Sequence, residues 1–131
     1  MALAGIRVID LTDERGIYGT KLLADLGAKV IRPEGVEGDP LRKRGPFMQG
    51  DGGQISLWHS FFASNRTFVS VDQTDVVAMQ ALQALSEAAD IVCVDGETNL
   101  VDLDSAKKAN PGLVVIELSS FGTQGPWADF L

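Results

Sequence analysis

Five short apolar runs, "IRVIDL" (6–11), "KVIR" (29–32), "TFVSVD" (67–72), "IVCVD" (91–95) and "LVVIELS" (113–119), recur along the chain with helix-forming or turn-rich segments between them. Each has the length and β-branched content of a strand, and several are apolar almost throughout. A strand can be apolar on both sides only where both faces of its sheet are covered. That is the condition of a parallel sheet flanked by helices. The fold class predicted is therefore α/β: a Rossmann-like, doubly wound, mostly parallel sheet of about five strands, formed by residues 1–131 as one domain.

The intervening segments agree. In "TDERGIYGTKLLADLGA", Tyr18, Leu22 and Leu26 fall at i, i+4 and i+8 with Leu23 beside them, and Gly27 is placed to end a helix. Strand, helix and strand in such close succession predict a right-handed βαβ unit. Residues 34–54 carry no periodicity and read as one long connection, of the functional or mobile kind. "ISLWHSFFASN" (55–65) returns as a helix. "TDVVAMQALQALSEAAD" offers Thr74 as N-cap and a stripe of Met79, Leu82, Leu85 and Ala89. "LDSAKKAN" reads as a last short helix closed by "NPG".

Such sheets bind ligands beyond the carboxyl ends of their strands. The segments gathered there are "TDERG", "PEGVEGDP", "DQT", "DGET" and "SSFG". Asp10, Asp72 and Asp95 fall at strand ends, where they read either as catalytic groups or as turn formers and caps. The first turn has only Gly16 and Gly19 of a dinucleotide fingerprint, and neither a phosphate loop nor a nucleophile elbow occurs. Cys93, the single cysteine, sits in an apolar run and reads as a buried, inert thiol, and His59, the single histidine, as a packing residue; no metal site is expected.

Charge narrows the ligand classes. Residues 1–50 hold eight Lys/Arg against seven Asp/Glu, and residues 51–131 hold three against eleven. The acidic total argues against nucleic acid, and no apolar run approaches the ~18 residues of a membrane span. With no signal peptide visible, a cytoplasmic location is expected. Within the first half, Arg42, Lys43 and Arg44 form a compact cationic run suited to a phosphorylated small molecule or an acidic partner.

The string "LAGIRVIDLTDERGIYGTKLLADLGAKVIRPEGVEGDPLRKRGPF" resembles the opening of the family III CoA-transferases, the CaiB/BaiF family. The resemblance continues in order through "SNRTFVSVD", "LSEAADIVCVD", "NPGLVVIELSSFG" and "TQGP", and so covers essentially the whole chain. It implies a CoA-binding portion of an enzyme that moves CoA between carboxylic acids. The acyl group would be carried on an aspartate, by covalent carboxylate catalysis. The substrates implied are a CoA thioester and a small carboxylic acid, with no tightly bound cofactor. The assembly implied is a homodimer, or a hetero-oligomer with the catalytic part.

By the same resemblance, CoA contacts map to Glu14 and Arg15, to Gly35, to Val71, Asp72, Gln73 and Thr74, to Asp95, Gly96 and Glu97, and to Ser119, Ser120, Phe121 and Gly122. Arg15, Arg32 and the Arg42–Lys43–Arg44 run would supply cations for the phosphates. Four departures stand out. The first turn is a residue short; basic residues common in the family are replaced by Gly35 and Leu103; the usual Asn-Phe after the fourth strand is Asp95-Gly96; and the family's nucleophilic aspartate lies downstream of "FGTQGP", so no residue here is assigned its role. The chain is accordingly expected to be the N-terminal CoA-binding portion of a transferase, inactive alone. A non-catalytic CoA-binding or scaffold subunit and an acyl-CoA racemase fragment are the alternatives.

Overall fold

The computed structural model describes residues 1–96, 98–122 and 124–128. Strands β1 (Arg7–Leu11), β2 (Lys29–Glu34), β5 (Arg66–Ser70), β6 (Ile91–Asp95) and β7 (Val114–Leu118) form a five-stranded sheet in the order β5-β2-β1-β6-β7, with every pairing parallel. Helices α1 (Ile17–Asp25), α2 (Leu57–Phe62), α3 (Val76–Glu87) and α4 (Leu103–Ala109) fill the crossovers. The predicted fold class and its five strands are thus present.

Alternation along β1 divides the core. Val8 joins Ala24, Ala28, Val30 and Cys93 beneath α1, whereas its neighbour Ile9 joins Val92, Val94, Ala106 and Leu113 beneath α4. A third cluster, Val71, Leu82 and Val101, closes α3 over the strand ends. Successive residues of β1 are therefore buried on opposite faces, which is why its sequence from Val8 to Leu11 is apolar except at Asp10.

Helix α1 ends where glycine permits. The Gly27 N–H bonds the Ala24 carbonyl and the Ala28 N–H that of Leu23, with Gly27 at φ +102°. This is a Schellman stop, and a side chain at Gly27 would be strained.

Two sequence expectations, on α1 and α3, are corrected. The stripe Tyr18, Leu22 and Leu26 is about half exposed, and α1 buries Ile17, Thr20, Lys21 and Ala24 instead. Small Thr20 and Ala24 let the helix approach the sheet, and Thr20 Oγ1 donates to Asp10 at 3.0 Å, which fixes that face inward. The N-cap of α3 is Asp75, which accepts the Val77 N–H at 2.8 Å; Thr74 is held one turn earlier by Asp72.

The aperiodic segment 34–54 is also more ordered than expected. It contains a 3₁₀ turn at Pro40–Lys43, capped by Asp39, and strand β3 (Phe47–Gly50), which pairs antiparallel with β4 (Gly53–Ser56). The hairpin's tight turn pairs Gly50 with Gly53, the latter at φ +120°. Ser56 ends β4 and caps α2, accepting the His59 N–H, so α2 starts at Leu57 rather than Ile55.

Candidate functional site

The chain runs from β1 outward through β2 to β5, then returns to the other side of β1 and continues through β6 to β7. The crevice where it diverges lies between the carboxyl ends of β1 and β6. This is the position at which doubly wound sheets take their ligands.

Below the crevice lies a buried ion network. Asp10, in β1, is fully buried; its Oδ2 accepts from Arg32 Nη1 at 3.0 Å, Arg66 Nη1 at 2.7 Å and Thr20 Oγ1 at 3.0 Å. Its Oδ1 accepts from the N–H and hydroxyl of Thr12. Arg32 Nε continues to Asp39 Oδ2 at 2.5 Å, and Asp39 accepts the Leu41 N–H. A carboxylate saturated in this way is structural: it ties β1, β2, β5, α1 and the 39–43 turn together. Between the two readings of Asp10, the geometry selects the turn-forming, packing one.

His59 lies against this network, with Nε2 3.5 Å from Asp39 Oδ2 and its ring 5.5 Å from that of Phe68. Burial and then the Arg42 charge hold its pKa below the ordinary histidine value, so it is neutral near pH 7 and packs as the sequence suggested. Burial pushes the Cys93 thiol up to about 12, which leaves it protonated.

Above the network two hollows of about 260 and 220 Å³ share Leu11, Thr12, Arg32, Asp39 and Pro40 in their walls. The larger reaches Gly35 and Gln73, and the smaller reaches Asp13 and Asp95. A narrower recess adds Val71. Gly35, Val71, Gln73 and Asp95, four positions named from three separate strand ends, are therefore brought to one groove. A Cβ built on Gly35 would meet nothing within 4 Å, so this wall is open.

The Asp95 side chain is only 4% exposed. Its Oδ2 accepts the Asp13 N–H at 2.5 Å, while Oδ1 has no hydrogen bond and lies 3.8 Å from Arg15 Nε. Burial, followed by the hydrogen-bonded Asp13 carboxyl, pushes the Asp95 pKa up to about 6. Asp13 is lowered; its burial opposes this, and the bonds from Asp95 and Arg15 outweigh it. Arg15 is half exposed and loosely held, donating to Asp13 at 3.4 Å and to Ser120 Oγ at 3.3 Å. Asp13 was not singled out from sequence; its place beside Asp95 follows from the adjacency of β1 and β6, which no local pattern encodes.

The remaining predicted residues are distributed differently. Arg42 pairs with Glu34 at 3.0 Å and stacks over Phe68, and Arg44 pairs with Glu14 and lies over Trp58. Only Lys43 of that run has no ion pair among the described residues, and none of the three lines the groove. Arg32, consumed by Asp10 and Asp39, is not free for a phosphate. Asp72 binds Thr74 in a local turn, both exposed, which matches its structural reading. Gly96 (φ +63°) lines a separate hollow of about 330 Å³ whose walls carry Asp102, Asp104 and Glu117. Ser119, Phe121 and Gly122 are exposed beyond β7, Phe121 against Trp127. Glu97 lies outside the described residues. Among the described residues no group of His, Cys, Asp and Glu could hold a metal ion, and no helix is long and apolar enough to cross a membrane.

A parallel α/β domain with its groove at the switch point is of the doubly wound class, which takes its ligands there. The profile of CoA-transferase family III matches residues 3–131, and the chain belongs to that family. It is 32% identical over 130 residues to a succinyl-CoA:(R)-benzylsuccinate CoA-transferase subunit of Thauera aromatica, covering 95% of this chain and 32% of that protein. It is 34% identical over 138 residues to a succinate–glutarate CoA-transferase of Agrobacterium fabrum, covering 98% and 34%. Among solved structures, a CaiB/BaiF family protein from Brucella suis superposes with a TM-score of 0.85 at 28% identity, covering 98% of this chain and 36% of that one. The chain thus spans about a third of the length of the relatives it matches.

Proposed function

We propose that residues 1–131 form the CoA-thioester-binding part of an enzyme that transfers CoA between carboxylic acids. The observation that carries this reading is the convergence of Gly35, Val71, Gln73 and Asp95 on one groove at the switch point. In this reading the pantetheine arm follows the open backbone wall at Gly35, and the CoA phosphates stay at the rim. The inner groove, walled by Asp10, Glu34, Asp39, Asp13 and Asp95 around a single, already paired Arg32, repels them. Arg15 is then the principal phosphate contact, and Lys43 adds an exposed charge. Arg42 and Arg44 act mainly on the shape of the rim, through Glu34 and Glu14.

The chemistry proposed for the whole enzyme is carboxylate catalysis. An aspartate attacks the acyl-CoA carbonyl, CoA thiolate leaves, and the thiolate attacks the aspartyl carbonyl of the anhydride formed, giving an aspartyl thioester and releasing the donor acid as its carboxylate. The acceptor carboxylate then repeats the sequence in reverse and carries CoA away. None of residues 1–131 is given the attacking role; their part is to hold CoA.

Calorimetric titration of the purified protein with CoA tests the reading. Arg15→Gln is expected to weaken binding by about tenfold, equivalent to ~1.4 kcal/mol, and to flatten its salt dependence. Absence of CoA binding, or unchanged affinity in Arg15→Gln, would overturn it.

A further inference from the structure

We propose that Arg15, Asp13 and Asp95 form a proton-linked anion latch: an anionic group of the ligand that draws the Arg15 guanidinium outward leaves the two carboxylates uncompensated, and the pair takes up one proton. The proposal rests on the reading of this groove as a site for a phosphate-bearing ligand and adds to it how binding depends on pH.

The geometry carries the inference. Asp13 and Asp95 meet across the β1–β6 crevice, with the Asp13 N–H 2.5 Å from Asp95 Oδ2. Arg15 is the cation nearest both, 3.4 Å from Asp13 and 3.8 Å from Asp95, and its side chain remains 42% exposed. Hydrogen bonds of that length are weak, whereas a phosphate offers bidentate, charge-assisted bonds. Meanwhile the 96%-buried Asp95 lines the smaller hollow and keeps one oxygen, Oδ1, without any hydrogen bond. A nearly buried carboxylate with one unsatisfied oxygen stays ionised only while a cation stands beside it.

The other charged groups around Asp95 do not substitute for Arg15. Arg32 and Asp39 share the hollow but are bound to each other, and Arg32 is bound to Asp10 as well. On β7, Asp95 is level with Leu118, and Glu117, one residue earlier on the alternating strand, lines the separate hollow of about 330 Å³ instead. When Arg15 leaves, the balance is simple: one solvent proton joins one carboxylate, and the resulting O–H bridges the pair or meets a ligand acceptor. The raised Asp95 pKa agrees with a pair poised to do this.

The test measures proton uptake by titrating the purified protein with CoA, and separately with inorganic pyrophosphate, at pH 7 in buffers of different ionisation enthalpy. Protons exchanged by the ligand itself are common to wild type and Asp95→Asn, whose amide oxygen still accepts the Asp13 N–H. Wild type is expected to take up at least about half a proton more than Asp95→Asn, and its affinity to strengthen more than the variant's as pH falls from 7.5 to 6. Binding with equal uptake in both proteins would overturn the latch and leave the CoA reading standing. Pyrophosphate binding with extra uptake but no CoA binding would overturn the CoA reading and support the latch. Failure of both ligands to bind would overturn both.

Discussion

Replacing Asp10 by Asn keeps the shape of the buried side chain and removes its charge. Asp10 receives five hydrogen bonds, two of them from guanidinium groups, and is fully enclosed. Arg32 would keep Asp39 at 2.5 Å, but the other bonds of Arg66 go to the carbonyls of Ile17 and Phe62. The variant therefore leaves Arg66, whose side chain is 0% exposed, without a carboxylate among the described residues. Breaking a buried pair from one side costs about 3–5 kcal/mol, because the surviving charge is desolvated and uncompensated. Against a total stability of roughly 5–15 kcal/mol, that is a large share. Urea unfolding followed by circular dichroism should show the midpoint fall with an unchanged slope. In Asp10→Asn/Arg66→Met, removing the second charge should recover part of the loss, so the double variant is less destabilised than the sum of the two singles. A loss below ~1 kcal/mol for Asp10→Asn, or strict additivity in the cycle, would refute the assignment of Asp10 as the hub beneath the groove.

Gly16→Ala should destabilise by about 1–3 kcal/mol, read by thermal melts, since its Cβ would lie 2.5 Å from Thr12 Cβ and Cγ2 and 2.6 Å from Leu118 Cδ1, and Thr12 Cβ cannot move away without its backbone. Because the folded-state pKa of Asp95 is raised to about 6, its contribution is fully present below the unfolded value near 3.8 and is lost as pH rises through 6. Stability measured from pH 4 to 7 should thus fall more steeply, or rise less, in wild type than in Asp95→Asn. An identical pH dependence in both would contradict the shift. Cys93, with its thiol held near 12, should react with iodoacetamide at neutral pH only after unfolding; alkylation of the native protein at the rate of a free thiol would refute its burial.

The parallel sheet was legible because uninterrupted β-branched runs such as "IVCVD" have no stable use except between two covered faces. The groove's position followed from that topology, and four of the named residues do line it. The hub was encoded less visibly. Asp10, Arg32 and Arg66 each stand within or at the start of an apolar strand, and a charge there demands a partner, but which charges meet depends on strand order, and Arg32 was read as a phosphate ligand for want of it. The same dependence hid Asp13 beside Asp95. On α1 the periodic stripe Tyr18, Leu22 and Leu26 outweighed the polar Thr20 and Lys21, although Thr20's bond to Asp10 decides which face turns inward. In "QGDGGQ" the turn glycines were present, yet the strands flanking them are too short and too exposed to alternate clearly.

The central claim is that a CoA thioester is held at the carboxyl ends of β2, β1, β5 and β6. Backbone amide resonances of the ¹⁵N-labelled protein, followed during titration with CoA, test it most directly. Saturable shifts are expected at Gly35, Val71, Gln73, Asp95 and the Asp13–Arg15 turn, with the exposed face of α1 at Leu22 and Leu26 unmoved. No shifts at those positions, or shifts centred on α1, would contradict it.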